Sequence, residues 1–454
     1  MPSYHIRTFG CQMNYSDSER MATYLEALDF TKAEGMGDAD LILFNTCSIK
    51  QKAEDKVYGH LMKIPDLRAK NPNLLVVVAG CMVRTSSSRY SVKRDRLFQT
   101  MRDLDVALKT DELPQLAKLA RKIHPELNIP EIKEESLEDY FHIPANHDSH
   151  ESKSQAFVAI SNGCDKFCTY CIVPYSRGRE KSRKIEDIVS EVTALAENGC
   201  KEITLIGQTV NSYGLGSYDK EHGTFAHIKK EPFVHLLEEM DKIPGLIRVR
   251  FTSPHPMDMS DQLIEAMGDL PSQMPYLHLP VQAGDNETLK RMNRTYTVEE
   301  FRETMKKLRE KIPDISVSTD IIVGFCGESE EEFQNTCDFF KEMRFEHAYL
   351  ARYSDRRGTT ANRFMKDDIT ETTKKSRWHH LNDILIAQAT EALERFHGRT
   401  VNVLVESQNA AGTCLGRSEN FKTIQFKSGR KLLGKIVPVK IQNSKNWILE
   451  GELV

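Results

Sequence analysis

The sequence predicts an α/β protein in three parts: an N-terminal doubly wound parallel sheet, a central partial (β/α)6 barrel and a small C-terminal antiparallel β-barrel. Two observations support this division. Nearly continuous apolar strands alternate with helical stretches up to about residue 386, which is the pattern of parallel sheets. Short strands punctuated by Gly and Asn follow, which favours a small barrel.

Residues 1–112 are expected to form the N-terminal sheet. A helix is predicted over 16–28, opened by a capping box of Ser16 and Glu19, a second runs to about Lys70, and a third separates the last two strands. The predicted strands are YHIRTFG (4–10), LILFNTC (41–47), LLVVVAGC (74–81) and DVALKT (105–110).

Residues 113–151 break this pattern and are acidic. The stretch 111–151 holds ten Asp and Glu against four Lys and Arg. We predict a tether between domains, carrying one or two short helices. An acidic surface excursion of a single domain is an equally good interpretation.

Residues 152–386 resume the alternation and predict six βα units, enough for a partial barrel with its chemistry at the carboxyl ends of the strands. The helical stretch 185–199 has one apolar face, and Gly199 is expected to stop the helix from the C′ position. The predicted strands are FVAISNG, EITLIG, IRVRFTS, YLHLPVQ, ISVSTDIIVGF and HAYLARY.

Residues 387–454 are expected to form the C-terminal barrel. From Thr390 onward, ten Lys and Arg stand against six Asp and Glu, so this part is the best candidate for an RNA-facing module. A mildly basic, solvated barrel is the alternative. The predicted strands are RTVNVLVES, TCLGRS, FKTIQFKS, KIVPVKI and WILEGEL.

Composition limits the class of protein. The chain has 454 residues, 39% of them hydrophobic and 28% charged, and no apolar run approaches the ~18 residues of a membrane span. The start, MPSYHIRTFG, predicts no secretory signal, so we expect a cytoplasmic protein whose ten cysteines are ligands, catalytic groups or core residues rather than disulfides. A net charge of -4 argues against a uniformly basic nucleic-acid binder, although a local basic face is compatible with it.

Cys164, Cys168 and Cys171 have the spacing C-x3-C-x2-C directly after the first strand of the predicted barrel. A zinc site would need a fourth Cys or His nearby, and the sequence offers none there. A 4Fe-4S cluster held by three thiolates leaves one iron open. The spacing therefore favours an iron-sulfur cluster with a reactive iron.

Cys11, Cys47 and Cys81 each lie at or just beyond the carboxyl end of a predicted strand. In a parallel sheet these ends share one edge, where ligands collect, so we expect the three thiols to meet and to hold a second cluster with an open iron. The alternative is that βα unit length sets the spacing and that the cysteines are ordinary core residues.

The first trio, with an aromatic residue at Tyr170, resembles the radical S-adenosylmethionine superfamily, and both trios together resemble its methylthiotransferases. The C-terminal barrel is similar to the TRAM module, which binds RNA. The similar segments cover nearly all of the chain: GCQMN (10–14), NTC (45–47), GCM (80–82), SNGCDKFCTYCIVPYSRGRE (161–180), GQTVNSYG (207–214), RFTSPHP (250–256), HLPVQAGD (278–285) and TDIIVGF (319–325).

The resemblance implies two 4Fe-4S clusters and S-adenosylmethionine as cofactors. Cys164, Cys168 and Cys171 would bind the radical-generating cluster, and the other trio a cluster that carries the inserted sulfur. GCQMN resembles the branch that methylthiolates C2 of isopentenyl-adenosine beside the tRNA anticodon. Other branches act on threonylcarbamoyl-adenosine or on a ribosomal protein aspartate. A non-catalytic iron-sulfur RNA-binding regulator and a structural zinc protein are hypotheses of other classes.

Weaker predictions concern the surroundings of the clusters. We expect cofactor contacts from Tyr170 and from polar residues at strand ends, namely Gln208, His278, Gln282 and Asp320. A basic run is expected to contact tRNA phosphates: Arg177, Arg179, Lys181, Arg183 and Lys184. Each group has an ordinary structural alternative, as hydrogen-bonding core residues or as a solvated helix start.

The expected partners are the anticodon stem-loop of a tRNA and a low-potential electron donor of unknown identity; neither a membrane nor DNA is expected. Two departures from the family pattern affect loops. Cys326 stands where the family usually has proline, and residues 353–361 lack the prolines common there.

Overall fold

The computed structural model describes residues 1–47, 51–83, 103–131, 137, 139–145, 147 and 153–454, without the side chains of 51–54. The chain forms two compact units. The first comprises residues 1–149, 162–165 and 171–183, and the second comprises 150–161, 166–170 and 184–454. The predicted helix between the third and fourth N-terminal strands lies outside the described residues.

A parallel sheet forms the centre of the first unit. Its strands are β1 (Ser3–Thr8), β2 (Thr31–Lys32), β3 (Leu41–Thr46), β4 (Leu75–Gly80) and β5 (Val106–Leu108). They lie in the order β2-β1-β3-β4-β5, and every pair is parallel. All residues of β3 and β4 are buried, which explains why these segments read as continuous apolar runs. The two-residue edge strand β2 was not predicted.

Helices cover both faces of this sheet. They are α1 (Gln12–Glu26), α2 (Gln51–Leu61), α3 (Ile64–Lys70) and α4 (Leu116–Ile123). Leu41 and Leu43 pack in one core with residues of α1 and α4, whereas Ile42 and Phe44 pack in another with residues of α2 and α3. Successive strand residues therefore serve opposite faces, as period-two alternation requires.

The predicted capping box of Ser16 and Glu19 is wrong. Helix α1 begins four residues earlier, at Gln12, with Cys11 as its N-cap. The Cys11 N–H donates to Asn14 Oδ1 at 3.3 Å, so Asn14 supplies the acceptor expected of Glu19. Ser16 and Glu19 are instead buried inside the helix.

The acidic segment packs on the first unit, so its prediction as a tether is corrected. A 3-10 helix over Thr110–Gln115 leads into α4, and Leu116 and Ala120 lie in the same core as the sheet. Further along, Tyr140 is buried and its hydroxyl donates to Asp17 of α1. Apolar residues spaced along the segment anchor it, while Lys118, Lys122, Glu126 and Glu131 are exposed. Residues 132–136, 138, 146 and 148–151 of the predicted tether lie outside the described part.

Six parallel strands in the second unit form two three-stranded sheets, in the orders β10-β9-β6 and β11-β12-β13. A bridge between Val249 and Gln273 links the third strand to residues just before the fourth. The strands are β6 (Gln155–Ala159), β9 (Glu202–Ile206), β10 (Arg248–Phe251), β11 (Tyr276–His278), β12 (Ser316–Val323) and β13 (His347–Arg352). The short strands β7 (Ser161–Asn162) and β8 (Lys181–Ser182) accompany the cysteine loop.

Helices alternate with these strands as predicted, and one large core of buried side chains joins the two kinds of element. The helix that begins at Ile185 ends at Glu197 with Asn198 as its C-cap, and Gly199 follows at C′ with a φ of +94°, as predicted. The helices are α5 (Val173–Arg177), α6 (Ile185–Glu197), α7 (Ser217–His222), α8 (Pro232–Asp241), α9 (Asp261–Asp269), α10 (Asn286–Arg291), α11 (Val298–Lys311), α12 (Glu330–Met343), α13 (Thr360–Phe364) and α14 (Glu371–Glu394).

The last sixty residues close into a five-stranded barrel, as predicted. Its strands are β14 (Thr400–Gln408), β15 (Thr413–Arg417), β16 (Thr423–Lys427), β17 (Ile436–Lys445) and β18 (Ile448–Leu453), in the order β14-β15-β16-β18-β17. Four neighbouring pairs are antiparallel, but β16 and β18 pair in parallel and complete the closure. The prediction of a purely antiparallel barrel is corrected at that pair.

Two buried arginines join the C-terminal barrel to strand β10 within the second unit. Arg248 donates to the carbonyls of Asn402 at 2.8 Å and Arg417 at 3.0 Å. Arg250 donates to the carbonyls of Ser418 and Glu419 at 2.9 and 2.8 Å. Both guanidinium groups also pair with Glu202, at 3.4 and 3.1 Å, so one buried carboxylate offsets part of the two positive charges.

Among the described residues, no helix combines the length and the apolar character that crossing a bilayer demands.

Candidate functional site

Cys11, Cys47 and Cys81 follow the carboxyl ends of β1, β3 and β4, which are neighbours in the sheet. The register pairs Thr8 with Asn45 and Thr46 with Gly80, so the strands end almost level. Cys47 and Cys81 are buried, whereas Cys11 is exposed to solvent. Desolvation nevertheless raises the pKa of the Cys11 thiol, while Arg177 lowers that pKa and Cys81 raises it. The N-terminal trio therefore lies at one sheet edge.

Gly10 permits the close approach of the first two cysteine loops. Its φ of +141° favours glycine, and a Cβ added there would lie 2.7 Å from the Cβ of Cys47 and 2.1 Å from Asn14 Oδ1. No other residue type leaves that space. The Gly-Cys pair of the sequence is thus a packing requirement of this edge.

Three polar residues, which the sequence analysis did not assign, tie the loops of the N-terminal trio together. Asn14 donates to Asn45 Oδ1 and to the Thr46 carbonyl, both at 3.1 Å, and Asn45 donates to the Asn14 carbonyl at 2.7 Å. The Thr46 carbonyl also accepts from the Cys81 N–H at 2.9 Å. Polar residues at the end of an otherwise apolar strand were the signal that could have identified them.

Arg177 is not a surface residue, which corrects its prediction as a phosphate contact. It is 5% exposed, and its Nη2 forms an ion pair with Asp17 at 2.6 Å. Its Nε donates to Cys81 Sγ at 3.3 Å and its Nη1 to Asn162 Oδ1 at 2.8 Å. Burial opposes the charge, but Asp17 and Cys81 outweigh it and raise the pKa of Arg177 well above its usual value.

The rest of the basic run divides by exposure. Arg183 is buried, so its prediction as a phosphate contact is also corrected. Arg179, Lys181 and Lys184 are exposed. Arg179 forms an ion pair with Asp165 at 2.7 Å. The number of Arg and Lys residues in this run therefore overestimates its exposed positive charge, because some of the side chains point inward as the chain passes β8.

The C-x3-C-x2-C loop is shared by the two units. Cys164 and Cys171 belong to the first unit and Cys168 to the second. The Cys164 N–H donates to the Gly178 carbonyl at 3.2 Å. Gly163 just before it has a φ of +86°, and a Cβ there would lie 2.1 Å from the Arg179 carbonyl oxygen. The first cysteine is therefore held by the backbone that follows the third.

Residues 291–294 hold the middle of this loop within the second unit, and the sequence analysis did not assign them. Thr169 donates its N–H to the Met292 carbonyl at 3.0 Å and its hydroxyl to the Arg291 carbonyl at 2.9 Å. Arg294 is buried and its Nη1 donates to Cys168 Sγ at 3.4 Å. These residues are more than 120 positions from the loop in sequence, so no local pattern indicates the contact.

The predicted cofactor residues lie on or beside both sheets of the second unit. His278 Nδ1 and Ser318 Oγ are 2.9 Å apart, and His278 Nε2 lies 3.5 Å from Asp320 Oδ2. The Gln282 N–H donates to the Asp320 carbonyl at 2.8 Å with a φ of +74°. Gln208 follows β9 in the other sheet and is partly exposed. Tyr170 packs edge-on against Phe325, with ring centroids 6.4 Å apart. The structure brings His278, Asp320 and Gln282 together.

His255, in the segment RFTSPHP, is a buried neutral histidine. Its Nδ1 accepts from the Met257 N–H at 3.3 Å, and burial, with Arg294 and Lys166, lowers its pKa to about 2. A lowered pKa gives stability that is present above the unfolded value of 6.5 and is lost as the pH falls. We expect the free energy of unfolding to fall by about 1.4 kcal/mol per pH unit below 6.5.

Urea unfolding of the wild type and of His255→Asn between pH 7 and pH 5 measures this loss. Asparagine can cap the same turn but does not titrate. Parallel pH dependences of the two proteins would show that His255 does not carry the effect.

The two departures from the family pattern have structural substitutes. Cys326 is buried, which raises the pKa of its thiol, and its side chain forms a hydrogen bond with that of Tyr353. In residues 353–361, Asp355 accepts from Asn362 at 2.6 Å, and Thr359 caps α13. The remaining cysteines outside the two trios, Cys200, Cys337 and Cys414, are buried in the cores.

The donor chemistry at both trios fits iron-sulfur clusters. Each offers three thiols, and in each a buried guanidinium donates a hydrogen bond to one sulfur. In the part of the chain that the structure describes, no three Cys, His, Asp or Glu side chains already surround a point that could hold a metal ion. The two trios are candidate ligand sets by their chemistry, and their assignment to clusters stays a prediction.

Comparison with protein families gives three matches along the chain. The Radical SAM superfamily matches residues 158–340, the TRAM domain residues 394–454, and a family described as Uncharacterized protein family UPF0004 residues 3–99. The radical SAM match contains all three cysteines of the loop, and the N-terminal match contains Cys11, Cys47 and Cys81.

Curated relatives match over almost the whole chain. The tRNA-2-methylthio-N(6)-dimethylallyladenosine synthase of Thermoanaerobacter sp. (strain X514) is 41% identical over 457 residues, 99% of this chain and 92% of the relative. The enzyme of the same name from Bacillus subtilis (strain 168) is 38% identical over 99% of this chain and 86% of its own.

A solved structure of the radical S-adenosylmethionine methyltransferase TsrM from Kitasatospora setae has a similar fold, with a TM-score of 0.56 at 13% identity, over 91% of this chain and 80% of that one.

Proposed function

The chain belongs to the tRNA-2-methylthio-N(6)-dimethylallyladenosine synthases, a family of radical S-adenosylmethionine methylthiotransferases, and from this membership we propose its substrate, cofactors and site residues. The substrate is N6-dimethylallyladenosine beside the anticodon of a tRNA, and the reaction replaces its C2 hydrogen with a methylthio group. The observation that carries this proposal is the identity of 41% over 99% of the chain, with both cysteine trios inside the matched length.

We assign Cys164, Cys168 and Cys171 to a 4Fe-4S cluster that binds S-adenosylmethionine, and Cys11, Cys47 and Cys81 to a second 4Fe-4S cluster. When bound, these groups supply the radical, the sulfur and the methyl group that a C–H bond without an acidic proton requires. The protein's part is to present three thiolates at each site. Burial limits the access of water to the sulfur atoms of Cys47, Cys81 and Cys168.

The two three-stranded sheets are taken as halves of a partial (β/α)6 barrel, a view supported by the bridge between Val249 and Gln273. His278, Asp320 and Gln282 would bind polar groups of the cofactor or of the adenosine near the strand ends. The hydrogen bond with Ser318 orients the His278 ring, and the carboxylate of Asp320 lies beside its other nitrogen. Tyr170 and Gln208 would complete this pocket.

The exposed basic residues Arg179, Lys181 and Lys184 would contact phosphates of the anticodon stem-loop, and the C-terminal barrel would bind the RNA elsewhere. Phosphate contacts position a substrate without reading its bases, so base recognition falls to the pocket. The electron donor would be a low-potential protein or small molecule, and the site of action would be the cytoplasm.

Mass spectrometry of tRNA nucleosides tests the assignment of substrate. The reduced, cluster-loaded enzyme is incubated with S-adenosylmethionine and either a dimethylallyladenosine tRNA or a threonylcarbamoyl-adenosine tRNA. We expect the methylthio product only from the first. Product from the second alone would transfer the enzyme to another branch, and absence of 5′-deoxyadenosine with both substrates would support a non-catalytic regulator.

A further inference from the structure

We propose that Arg177 and Arg294 are positioning residues, each holding one cysteine ligand of a cluster and setting how readily that cluster accepts an electron. Each guanidinium is buried and donates to one sulfur, Arg177 to Cys81 and Arg294 to Cys168. The inference rests on the proposed function, since it takes the two trios as cluster ligands. It adds that each site has a buried arginine that donates to a ligand sulfur, and that the effect of this arginine on the reduction potential differs between the two sites.

Arg177 is fixed from three sides within the first unit. The Asp17 carboxylate pairs with Nη2, Asn162 accepts from Nη1, and the Tyr140 hydroxyl donates to the other oxygen of Asp17. The N–H of Nε donates to Cys81 Sγ at 3.3 Å. Since Asn162 lies two residues before Cys164, the same side chain also holds the start of the C-x3-C-x2-C loop.

Arg294 is fixed within the second unit by neutral groups. Its Nη2 donates to the Pro280 carbonyl at 2.7 Å and its Nε to the Tyr296 hydroxyl at 2.9 Å, which leaves Nη1 at 3.4 Å from Cys168 Sγ. Tyr296 is itself held, since its hydroxyl donates to the Val281 carbonyl at 2.7 Å. All three hydrogen-bond partners of Arg294 come from the second unit.

The charge balance differs between the two arginines. A positive charge and an N–H donor at a ligand sulfur stabilise the more negative, reduced state of a cluster, and burial strengthens both effects. The ion pair with Asp17 offsets the charge of Arg177, whereas the hydrogen-bond partners of Arg294 are neutral. The effect on electron uptake is therefore larger at Cys168 than at Cys81, which favours reduction of the cluster that binds S-adenosylmethionine.

The test is an equilibrium redox titration of full-length protein followed by electron paramagnetic resonance. Replacing all three cysteines of one trio with alanine leaves a single cluster to observe. Arg294→Met is placed in the chain that lacks the N-terminal trio, and Arg177→Met in the chain that lacks the loop trio. At the applied potential that half-reduces the cluster of the parent chain, we expect Arg294→Met to lower the ratio of reduced to oxidised cluster at least tenfold. This corresponds to a fall of 59 mV in the reduction potential for one electron.

We expect a smaller shift in the same direction for Arg177→Met. Lysine at either position should restore part of the shift, because it keeps the charge but loses the planar set of donors. The matched controls are Arg302→Met, which removes a pair with Glu342, and Arg68→Met, which removes a pair with Asp105. Neither arginine contacts a cysteine sulfur, so we expect neither control to move a potential.

Arg177→Met leaves the buried Asp17 unpaired and can prevent folding, so Asp17→Asn/Arg177→Met provides the second variant. Unchanged potentials in folded, iron-loaded arginine variants would overturn the proposal, as would equal shifts in the controls. Iron and sulfide analysis of the two parent chains separates this outcome from failure of the proposed function. If either parent binds no cluster, the cluster assignment fails, whereas clusters with unmoved potentials refute only the role of the arginines.

Discussion

Replacing Cys168 with alanine is expected to abolish release of 5′-deoxyadenosine, whereas replacing Cys47 is expected to spare part of that release and to remove the methylthiolated nucleoside. The reason is the division of labour between the trios. Cys168 belongs to the loop matched by the radical SAM superfamily, and Cys47 belongs to the N-terminal sheet edge. Liquid chromatography with mass spectrometry measures both products in one reaction mixture.

Cys337→Ala is the control for this pair of variants. Cys337 is fully buried on α12 and belongs to neither trio, so its loss removes one small core side chain and should leave both products. Equal loss of 5′-deoxyadenosine in the Cys168 and Cys47 variants would contradict the division of labour. Unchanged methylthio product with Cys47→Ala would remove Cys47 from the second site.

Gly10→Ala is expected to cost the first unit about 3 kcal/mol of stability, because an alanine there combines an unfavourable positive φ with overpacking against Cys47. The shift that relieves the overlap must separate the loops of Cys11 and Cys47. We therefore also expect the iron content to fall toward that of a chain with one cluster. Urea unfolding and iron analysis provide the two measurements.

Gly37→Ala is the matched control, since Gly37 lies in the same unit and a Cβ there meets no atom within 4 Å. It should change neither stability nor iron content appreciably. Wild-type iron content in a folded Gly10→Ala protein would show that the close approach at the sheet edge is dispensable for the second site.

Elements with a strong local pattern could be predicted from the sequence. Strands β3 and β4 are buried along their whole length, so their apolar runs identify them without any tertiary information. The strands of the C-terminal barrel were identified as short strands separated by Gly and Asn, and the closure of the barrel is confirmed. The cysteines were found because their chemistry limits the alternatives and because strand ends in a parallel sheet share an edge.

Features set by distant partners could not be predicted. Arg177 belongs to a run of basic residues that is typical of an exposed segment. The carboxylate that pairs with it in the interior, that of Asp17, lies 160 residues away on α1. Arg294 reaches Cys168 across 126 residues, and no motif marks it. The acidic segment was taken for a tether because the strand-helix pattern weakens there and acidic residues outnumber basic ones, although several of its apolar residues pack in the core.

The docking of the C-terminal barrel by Arg248 and Arg250 has a consequence for RNA capture. A module on a flexible linker raises only the effective concentration of its ligand near the enzyme. A module fixed to strand β10 by buried guanidinium groups also limits the directions from which that ligand can approach. RNA bound by the barrel, as proposed, would then be oriented as well as retained, and holding reactants in one orientation lowers the entropic part of a reaction barrier.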